Sequence, residues 1–183
     1  MKQDTSWGGE SVGGHYQQNV ILPNLTRLIA PKKGELIVDL GCGEGYFAKK
    51  FARDGANIIG VDTSKELIAK AEESKNSNEE YRVGSAENLK MIKDGIADKV
   101  TIILAIQNMN NIHAVLKECH RVMKSGAHLY IVMNHPAFRI PKASDWGWDP
   151  STSSGQAIGT VYRRVDSYLS ESKAKIEMHP SAS

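Results

Sequence analysis

The sequence lacks a hydrophobic run long enough to cross a membrane. Its longest apolar stretch, residues 100–106, is far shorter than the roughly 20 residues that a membrane-spanning helix needs. Residues 1–14 also lack an apolar segment behind a basic start, so we expect no signal peptide. The sequence therefore predicts no association with a membrane.

The sequence also has few cysteines and no large excess of one charge. Two cysteines, Cys42 and Cys119, provide no disulfide framework and favour the reducing cytoplasm. A net charge of +2 gives no strong field that would attract nucleic acid. With 183 residues, the chain is long enough for one full-sized core. We therefore expect a cytoplasmic globular protein that binds neither nucleic acid nor membrane.

Short apolar runs alternate along the chain with segments that have one apolar helical face. The predicted strands span residues 35–40, 57–61, 81–83, 100–106 and 129–133. Helices are predicted at residues 15–30, from 46 to about 55, from Ser64 onward and at 112–123. This order is typical of βαβ units and predicts a doubly wound α/β fold with a mainly parallel sheet.

The glycine-rich stretch VDLGCGEG, residues 38–45, follows the first strand and opens a helix. A nicotinamide site typically has the spacing G-x-G-x-x-G and holds a pyrophosphate on the helix N-terminus. Here Gly41, Gly43 and Gly45 follow the spacing G-x-G-x-G, and Asp39 and Glu44 would repel a pyrophosphate. The loop therefore favours a cofactor that carries an ammonium and a sulfonium instead of phosphates.

Two further segments indicate a nucleoside. Asp62 ends the second strand, where its carboxylate could accept hydrogen bonds from both ribose hydroxyls. NAD sites use the same device, so Asp62 does not distinguish the two cofactors. After the third strand, Ser85, Ala86 and Glu87 could bracket an adenine edge. Glu87 could equally be a solvated carboxylate at the start of a helix.

Together these motifs resemble the class I S-adenosylmethionine-dependent methyltransferases over about residues 15–133. VDLGCGEG, IIGVDTS, VGSAENL, DKVTIILAIQNMNN and ECHRVMKSGAHLYIVM follow one another in the order of that family. The resemblance implies a Rossmann-like methyltransferase fold, with S-adenosyl-L-methionine as cofactor and S-adenosyl-L-homocysteine as product. The implied cofactor contacts are Tyr16, Asp39, Gly41, Cys42, Gly43, Asp62, Thr63, Ser85, Ala86, Glu87, Ala105 and Gln107.

The resemblance also distributes these contacts over the cofactor. It places Asp39, Gly41 and Gly43 at the methionine end and Asp62 on the ribose. Ala86 and Glu87 would lie at the adenine, and Gln107 under the sulfonium. Tyr16 could close over the cofactor or simply pack against the first helix.

The acceptor side has weaker signals, because aligned methyl transfer requires no catalytic triad. His135 could act as a general base or have a structural role in the turn before Pro136. Asn108 could orient a polar substrate, whereas Asn110 and Asn111 are expected to cap the next helix. We predict no metal site, since the spacing of the histidines matches no metal signature.

The segment after the fifth strand departs from the family pattern. We predict a cofactor-binding core at residues 1–133 and a loop or lid extension of the same domain at 134–183. Residues 161–178 should be extended, and we find no convincing closing pair of strands, which would be expected of a shortened chain. The open sheet edge would favour a homo-oligomer. Trp146 and Trp148 could wall an acceptor pocket or fasten a loop.

The sequence therefore predicts a methyltransferase that acts on a small molecule. One alternative is an NAD-dependent oxidoreductase, and another is a cofactor-binding module without turnover.

Overall fold

A computed structural model describes residues 12–135, 144–149 and 160–166 of the chain. The chain divides into two compact units, residues 1–133 and residues 134–183. The first unit contains all the helices and five strands of the described residues, and the second contains a pair of strands.

The elements of the first unit alternate as the sequence predicts. Its helices are α1 (Val12–Tyr16), α2 (Leu22–Ile29), α3 (Tyr46–Arg53), α4 (Lys65–Glu73) and α5 (Ile112–Val122). Its strands are β1 (Leu36–Leu40), β2 (Asn57–Asp62), β3 (Glu79–Val83), β4 (Ala97–Ile103) and β5 (Met123–Val132).

The five strands form one parallel sheet in the order β3-β2-β1-β4-β5. The predicted doubly wound α/β fold is therefore confirmed. The chain moves from β1 outward to β3, then crosses to β4 and moves outward to β5. Because such crossovers are right-handed, the reversal places α3 and α4 on one face of the sheet and α5 on the other.

Each face of the sheet has its own apolar core. On one face, Phe47 and Phe51 of α3 and Ile68 of α4 are buried against the sheet. On the other face, α5 buries Val115 and Cys119. Burial on both faces explains why the three inner strands, β1, β2 and β4, are nearly continuous apolar runs that do not alternate with polar residues.

Several boundaries differ from the sequence prediction. β4 ends at Ile103, not at Ile106, because Leu104 takes a positive φ of 54° and a 3₁₀ turn follows at Ile106–Asn108. β5 begins at Met123, six residues before the predicted start. The N-terminal helix contains a π-helical segment, Gln17–Ile21, which comes just before Pro23. Pro23 is the second residue of α2 and is separated by one residue from this π-helical segment, where Leu22 N–H donates to Gln17 O and the regular i→i−4 bonding is already interrupted.

Polar contacts tie the strands together at their amino ends. The carboxylate of Asp98 accepts hydrogen bonds from the backbone N–H of Leu36, at 2.8 Å, and from Lys124 Nζ, at 2.6 Å. These two bonds, the amide of Leu36 first, hold the pKa of Asp98 below its usual value. Asp98 on β4 thus connects the starts of β1 and β5.

The second unit contains an antiparallel pair, β6 (Ser144–Asp149) and β7 (Thr160–Val165). Extended structure in the predicted segment 161–178 is confirmed for residues 161–165, and residues 167–178 lie outside the described part. The prediction of loops around Trp146 and Trp148 was wrong for residues 144–149. The pair does not join the five-stranded sheet, so it is not the closing pair of strands whose absence the sequence predicts. The alternation in SDWGWD was the missed signal, since it places both tryptophans on one face of a strand.

The pair forms its own two-stranded sheet, so β3 and β5 are the edges of the five-stranded sheet among the described strands. No helix in the described part of the chain has both the length and the hydrophobicity to span a membrane.

Candidate functional site

The predicted cofactor residues gather at the carboxyl edge of the parallel sheet. β1 and β4 are neighbours, but the helices that follow them lie on opposite faces. This reversal opens a crevice at the ends of the two strands, which is where doubly wound sheets bind ligands. Gly41 follows β1 and Ala105 follows β4, and the two residues are in contact across the crevice.

The glycines of the loop serve different purposes. Gly41 and Gly43 have φ angles of 72° and 56°, which favour glycine over any residue with a Cβ. A Cβ on Gly41 would collide with the Cβ of Ala105. A Cβ on Gly43 would meet only Leu67 Cδ1, at 4.0 Å. Gly43 is therefore the position where the missing side chain leaves room for a ligand.

Asp62 is oriented by the backbone around it. Its Oδ2 accepts a hydrogen bond from the N–H of Gly43 and its Oδ1 accepts one from the N–H of Ser64, both at 2.9 Å. Each carboxylate oxygen has two lone pairs, so one remains on each oxygen. The half-buried carboxylate is thus held in place and can still accept two hydroxyl hydrogen bonds.

Asp39 is the most buried charged group of the site, with 2% of its surface exposed. Burial raises the pKa of this carboxyl to about 6, the hydrogen bond from Thr101 opposes the rise, and the nearby Asp62 adds to it. Thr101 Oγ1 donates that hydrogen bond to Asp39 Oδ1 at 2.7 Å. None of the described residues forms an ion pair with Asp39 or Asp62.

Cys42 has its side chain on the inner side of the loop. Its sulfur packs with the core cluster and lies close to Gly60. Burial, together with the charges of Asp39 and Asp62, raises the pKa of the thiol far above its usual value. Cys42 is therefore a neutral, partly buried residue that packs against the core.

On the predicted adenine side, all three residues have structural partners. Ser85 Oγ accepts a hydrogen bond from the N–H of Glu87, and Ala86 packs into the core. Glu87 Oε1 accepts hydrogen bonds from the N–H groups of Asn110 and Asn111, each at 3.0 Å. Glu87 thus connects the loop after β3 to the start of α5, and its contact with the adenine stays a prediction.

The segment between β4 and α5 is equally well connected. Gln107 Nε2 donates to the carbonyl of Leu104 at 2.6 Å, which turns this side chain back onto its own loop. Asn108 is exposed. Asn111 Oδ1 accepts a hydrogen bond from the N–H of Ala114, so the predicted cap of α5 is confirmed.

Of the remaining predicted residues, Thr63, Tyr16 and His135 are exposed, Tyr16 by 54%. Sequence reasoning missed Gln17, which is buried although its Oε1 has no hydrogen-bond partner among the described residues. The π-helical turn that positions Gln17 has no clear sequence pattern. Within residues 12–135, 144–149 and 160–166, no three His, Cys, Asp or Glu side chains are grouped as metal ligands.

Comparison with known proteins agrees with this geometry. A family model described as a methyltransferase domain matches residues 38–131, just over half of the chain. The chain belongs to the class I S-adenosylmethionine-dependent methyltransferases. The predicted family and its cofactor are therefore confirmed, and the match includes the glycine loop, Asp62 and the loops after β3 and β4.

Two relatives illustrate the extent of the similarity. A ubiquinone/menaquinone biosynthesis C-methyltransferase from Rubrivivax gelatinosus is 35% identical over 113 residues, which cover 61% of this chain and 45% of the relative. A ubiquinone biosynthesis O-methyltransferase from Ralstonia nicotianae is 31% identical over 111 residues, covering 58% and 46%. The match thus spans less than half the length of either relative.

The fold is also found among solved structures. An S-adenosylmethionine-dependent methyltransferase from Mesorhizobium loti superposes with a TM-score of 0.71 at 24% identity. The alignment covers 84% of this chain and 68% of the other. At this identity the comparison supports the fold of the methyltransferase family.

The contact between Gly41 and Ala105 generates a prediction about stability. Gly41→Ala should lower the free energy of unfolding more than Gly43→Ala, because both changes strain a left-handed residue by about 1–3 kcal/mol and only the first adds a collision. Chemical denaturation of both variants measures the difference. Ala105→Gly should restore part of the loss in Gly41→Ala and none in Gly43→Ala. Equal losses in the two single variants would show that the contact does not constrain the loop.

Proposed function

We propose that this chain transfers a methyl group from S-adenosyl-L-methionine to a small-molecule acceptor. The observation that carries the proposal is the pair of carboxylates, Asp39 and Asp62, beside the open position at Gly43. Neither carboxylate has an ion-pair partner among the described residues, and their mutual repulsion helps to raise the pKa of Asp39. A cationic cofactor relieves this repulsion, whereas a pyrophosphate would increase it.

Each residue of the site has a distinct role in the proposal. The two remaining lone pairs of Asp62 accept the ribose hydroxyls, and Asp39 faces the ammonium of the methionine end. Gly43 lets the cofactor approach the loop backbone. The cofactor supplies a methyl group that its sulfonium already activates. The protein then has to align the acceptor and exclude water, and alignment alone can contribute about 7–11 kcal/mol.

The names of the relatives support a small acceptor. One is a C-methyltransferase and another an O-methyltransferase, both of ubiquinone biosynthesis. We extend the small-molecule class to this chain and leave the acceptor atom open. His135 as general base and Asn108 as an orienting group remain predictions, as do the cytoplasmic location and self-association through an open sheet edge. Residues 134–183 as a lid of the same domain are likewise part of the proposal.

Methyl transfer by the full chain tests the proposal directly. We expect S-adenosyl-L-homocysteine to bind in isothermal titration and NAD to give no heat. Incubation with S-adenosyl-L-methionine and a panel of small phenols, quinols and amines should yield S-adenosyl-L-homocysteine with at least one acceptor. Binding without turnover across the panel would favour the module without catalysis. Binding of NAD alone would overturn the assignment.

Asp62→Ala tests the ribose contact. The substitution should weaken S-adenosyl-L-homocysteine affinity by about 1.5–3 kcal/mol, because charged hydrogen bonds to the diol are lost. Asp98→Ala is the matched control, since Asp98 also binds a backbone amide but lies at the amino edge of the sheet. The control should reduce stability and leave affinity unchanged. Equal affinity of Asp62→Ala and the native chain would place the ribose elsewhere.

The buried carboxyl of Asp39 predicts a pH dependence of binding. In the cofactor-free protein its pKa is about 6, so the group is mostly neutral below that pH and charged, at a cost in stability, above it. An adjacent ammonium favours the charged form, so binding below pH 6 releases a proton. Affinity for S-adenosyl-L-homocysteine should therefore rise by up to roughly tenfold between about pH 5 and 7.

Titration calorimetry at three pH values, in buffers of different ionisation enthalpy, measures both the affinity and the released proton. Asp39→Asn is the control. It should bind weakly at every pH, yet the cofactor-free variant should be no less stable than the native chain at neutral pH, because it buries no charge. An affinity of the native chain that does not change with pH would remove Asp39 from the ammonium site.

A further inference from the structure

Beyond the carboxylates, we propose that Tyr81 is a positioning residue that holds the glycine loop in its cofactor-binding conformation. This role of Tyr81 depends on the proposed function in one respect, because it takes the glycine loop as the cofactor site. Tyr81 lies on β3, outside the glycine loop itself, and 6% of it is exposed.

The ring of Tyr81 occupies space that two glycines leave open. A Cβ on Gly45, the last glycine of the loop, would lie 2.5 Å from the Tyr81 hydroxyl oxygen. A Cβ on Gly60 of β2 would lie 2.5 Å from Cδ1 of the same ring. The ring therefore packs against the backbone of both the loop and β2. Gly45 lacks a side chain because this ring needs the space, whereas Gly43 leaves space open.

A buried acid fixes the hydroxyl end of the ring. Tyr81 Oη donates to Glu79 Oε2 at 2.8 Å, and Glu79 is 5% exposed. Glu79 Oε1 in turn accepts from Asn76 Nδ2 at 2.5 Å. The N–H of Tyr81 also donates to Glu72 Oε1 at 3.1 Å. Because a buried carboxylate is costly without partners, this chain of hydrogen bonds gives the ring one defined position.

The position of the ring bears on the cofactor through the loop backbone. The N–H groups of Gly41, Gly43 and Gly45 donate to Val61 O, Asp62 Oδ2 and Cys42 O. Without the ring, a void beneath Gly45 would let the loop leave this arrangement. Affinity would then fall in proportion to the loss of the competent conformation. A residue that acts in this way changes the KM for the cofactor and leaves kcat at saturating cofactor nearly unchanged.

Three variants of the full chain test the proposal. Tyr81→Leu removes the ring, and Tyr81→Phe keeps the ring but not its hydroxyl. Ile29→Ala is the matched control, because Ile29 is buried in the same core cluster but lines a cavity at the amino edge of the sheet. Hydrogen exchange of the amides of residues 41–45 is measured without cofactor. Affinity for S-adenosyl-L-homocysteine is measured at a temperature where every variant is folded.

Tyr81→Leu should exchange these loop amides faster and lower the affinity by roughly tenfold, because the loop opens locally. Ile29→Ala should lower only the melting temperature, and Tyr81→Phe, which keeps the ring but loses the hydrogen bond to Glu79, should give an effect between those of Tyr81→Leu and the native chain. Unchanged loop exchange in Tyr81→Leu, or an equal increase in Ile29→Ala, overturns the proposal. If the native chain does not bind S-adenosyl-L-homocysteine, the proposed function fails, and the exchange result still decides whether Tyr81 holds the loop.

A double-mutant cycle adds an independent criterion. Gly60→Ala alone should displace the ring and accelerate loop exchange. In Gly60→Ala/Tyr81→Leu the collision with the ring is removed, although the added methyl group still meets Cys42 Sγ at 2.9 Å, so the two effects should be less than additive. Full additivity of the two substitutions would also overturn the proposal.

Discussion

The tight passage of the glycine loop between its neighbours is the constraint on which the site depends. The backbone leaves β1 with a left-handed residue at Gly41, in contact with Ala105 after β4. It then donates the N–H of Gly43 to Asp62 after β2 and passes over the ring of Tyr81 from β3. Residues of four adjacent strands, or of the loops that follow them, thus meet at one loop. A change in any of these contacts would alter where the loop amides and the carboxylate point.

Electrostatics then determines what this arrangement can hold. Asp39 and Asp62 lie close enough to perturb each other, and no cation of the described residues pairs with either. The buried carboxylate of Asp39 is unfavourable in the free protein, as its raised pKa indicates. Under the proposed function, the same unfavourable charge becomes a source of affinity when a cation binds beside it, because the ligand removes the repulsion that the protein tolerates without it. A methyl-donating sulfonium with an ammonium has the charge that this site lacks.

The groups that stabilise the fold and the groups of the candidate site lie at opposite edges of the sheet. At the amino edge, the carboxylate of Asp98 accepts hydrogen bonds from the N–H of Leu36 and from Lys124. These bonds favour the charged carboxylate in the folded chain, so they lower its pKa and stabilise the fold. At the carboxyl edge, Asp39 has the opposite shift and Asp62 keeps acceptor capacity. Parallel strands produce this division. The loops that follow the strands, which can vary in sequence, lie together at the carboxyl edge, whereas the turns that lead into the strands lie at the amino edge.

The sequence by itself determined the layered fold, the order of its elements and the class of cofactor, because burial on both faces and the G-x-G-x-G loop leave local patterns. It also placed Asp39 and Asp62 at the carboxyl ends of strands, and in the structure they lie one residue from, or at, the end of a strand. Only the tertiary structure decided that the side chain of Cys42 points into the core, that Glu87 binds the start of α5, and that Tyr81 fills the space at Gly45 and Gly60. The pair β6–β7 was likewise missed. These features depend on contacts between residues far apart in the chain, and a strand pattern does not specify which neighbour will need the space beside a glycine.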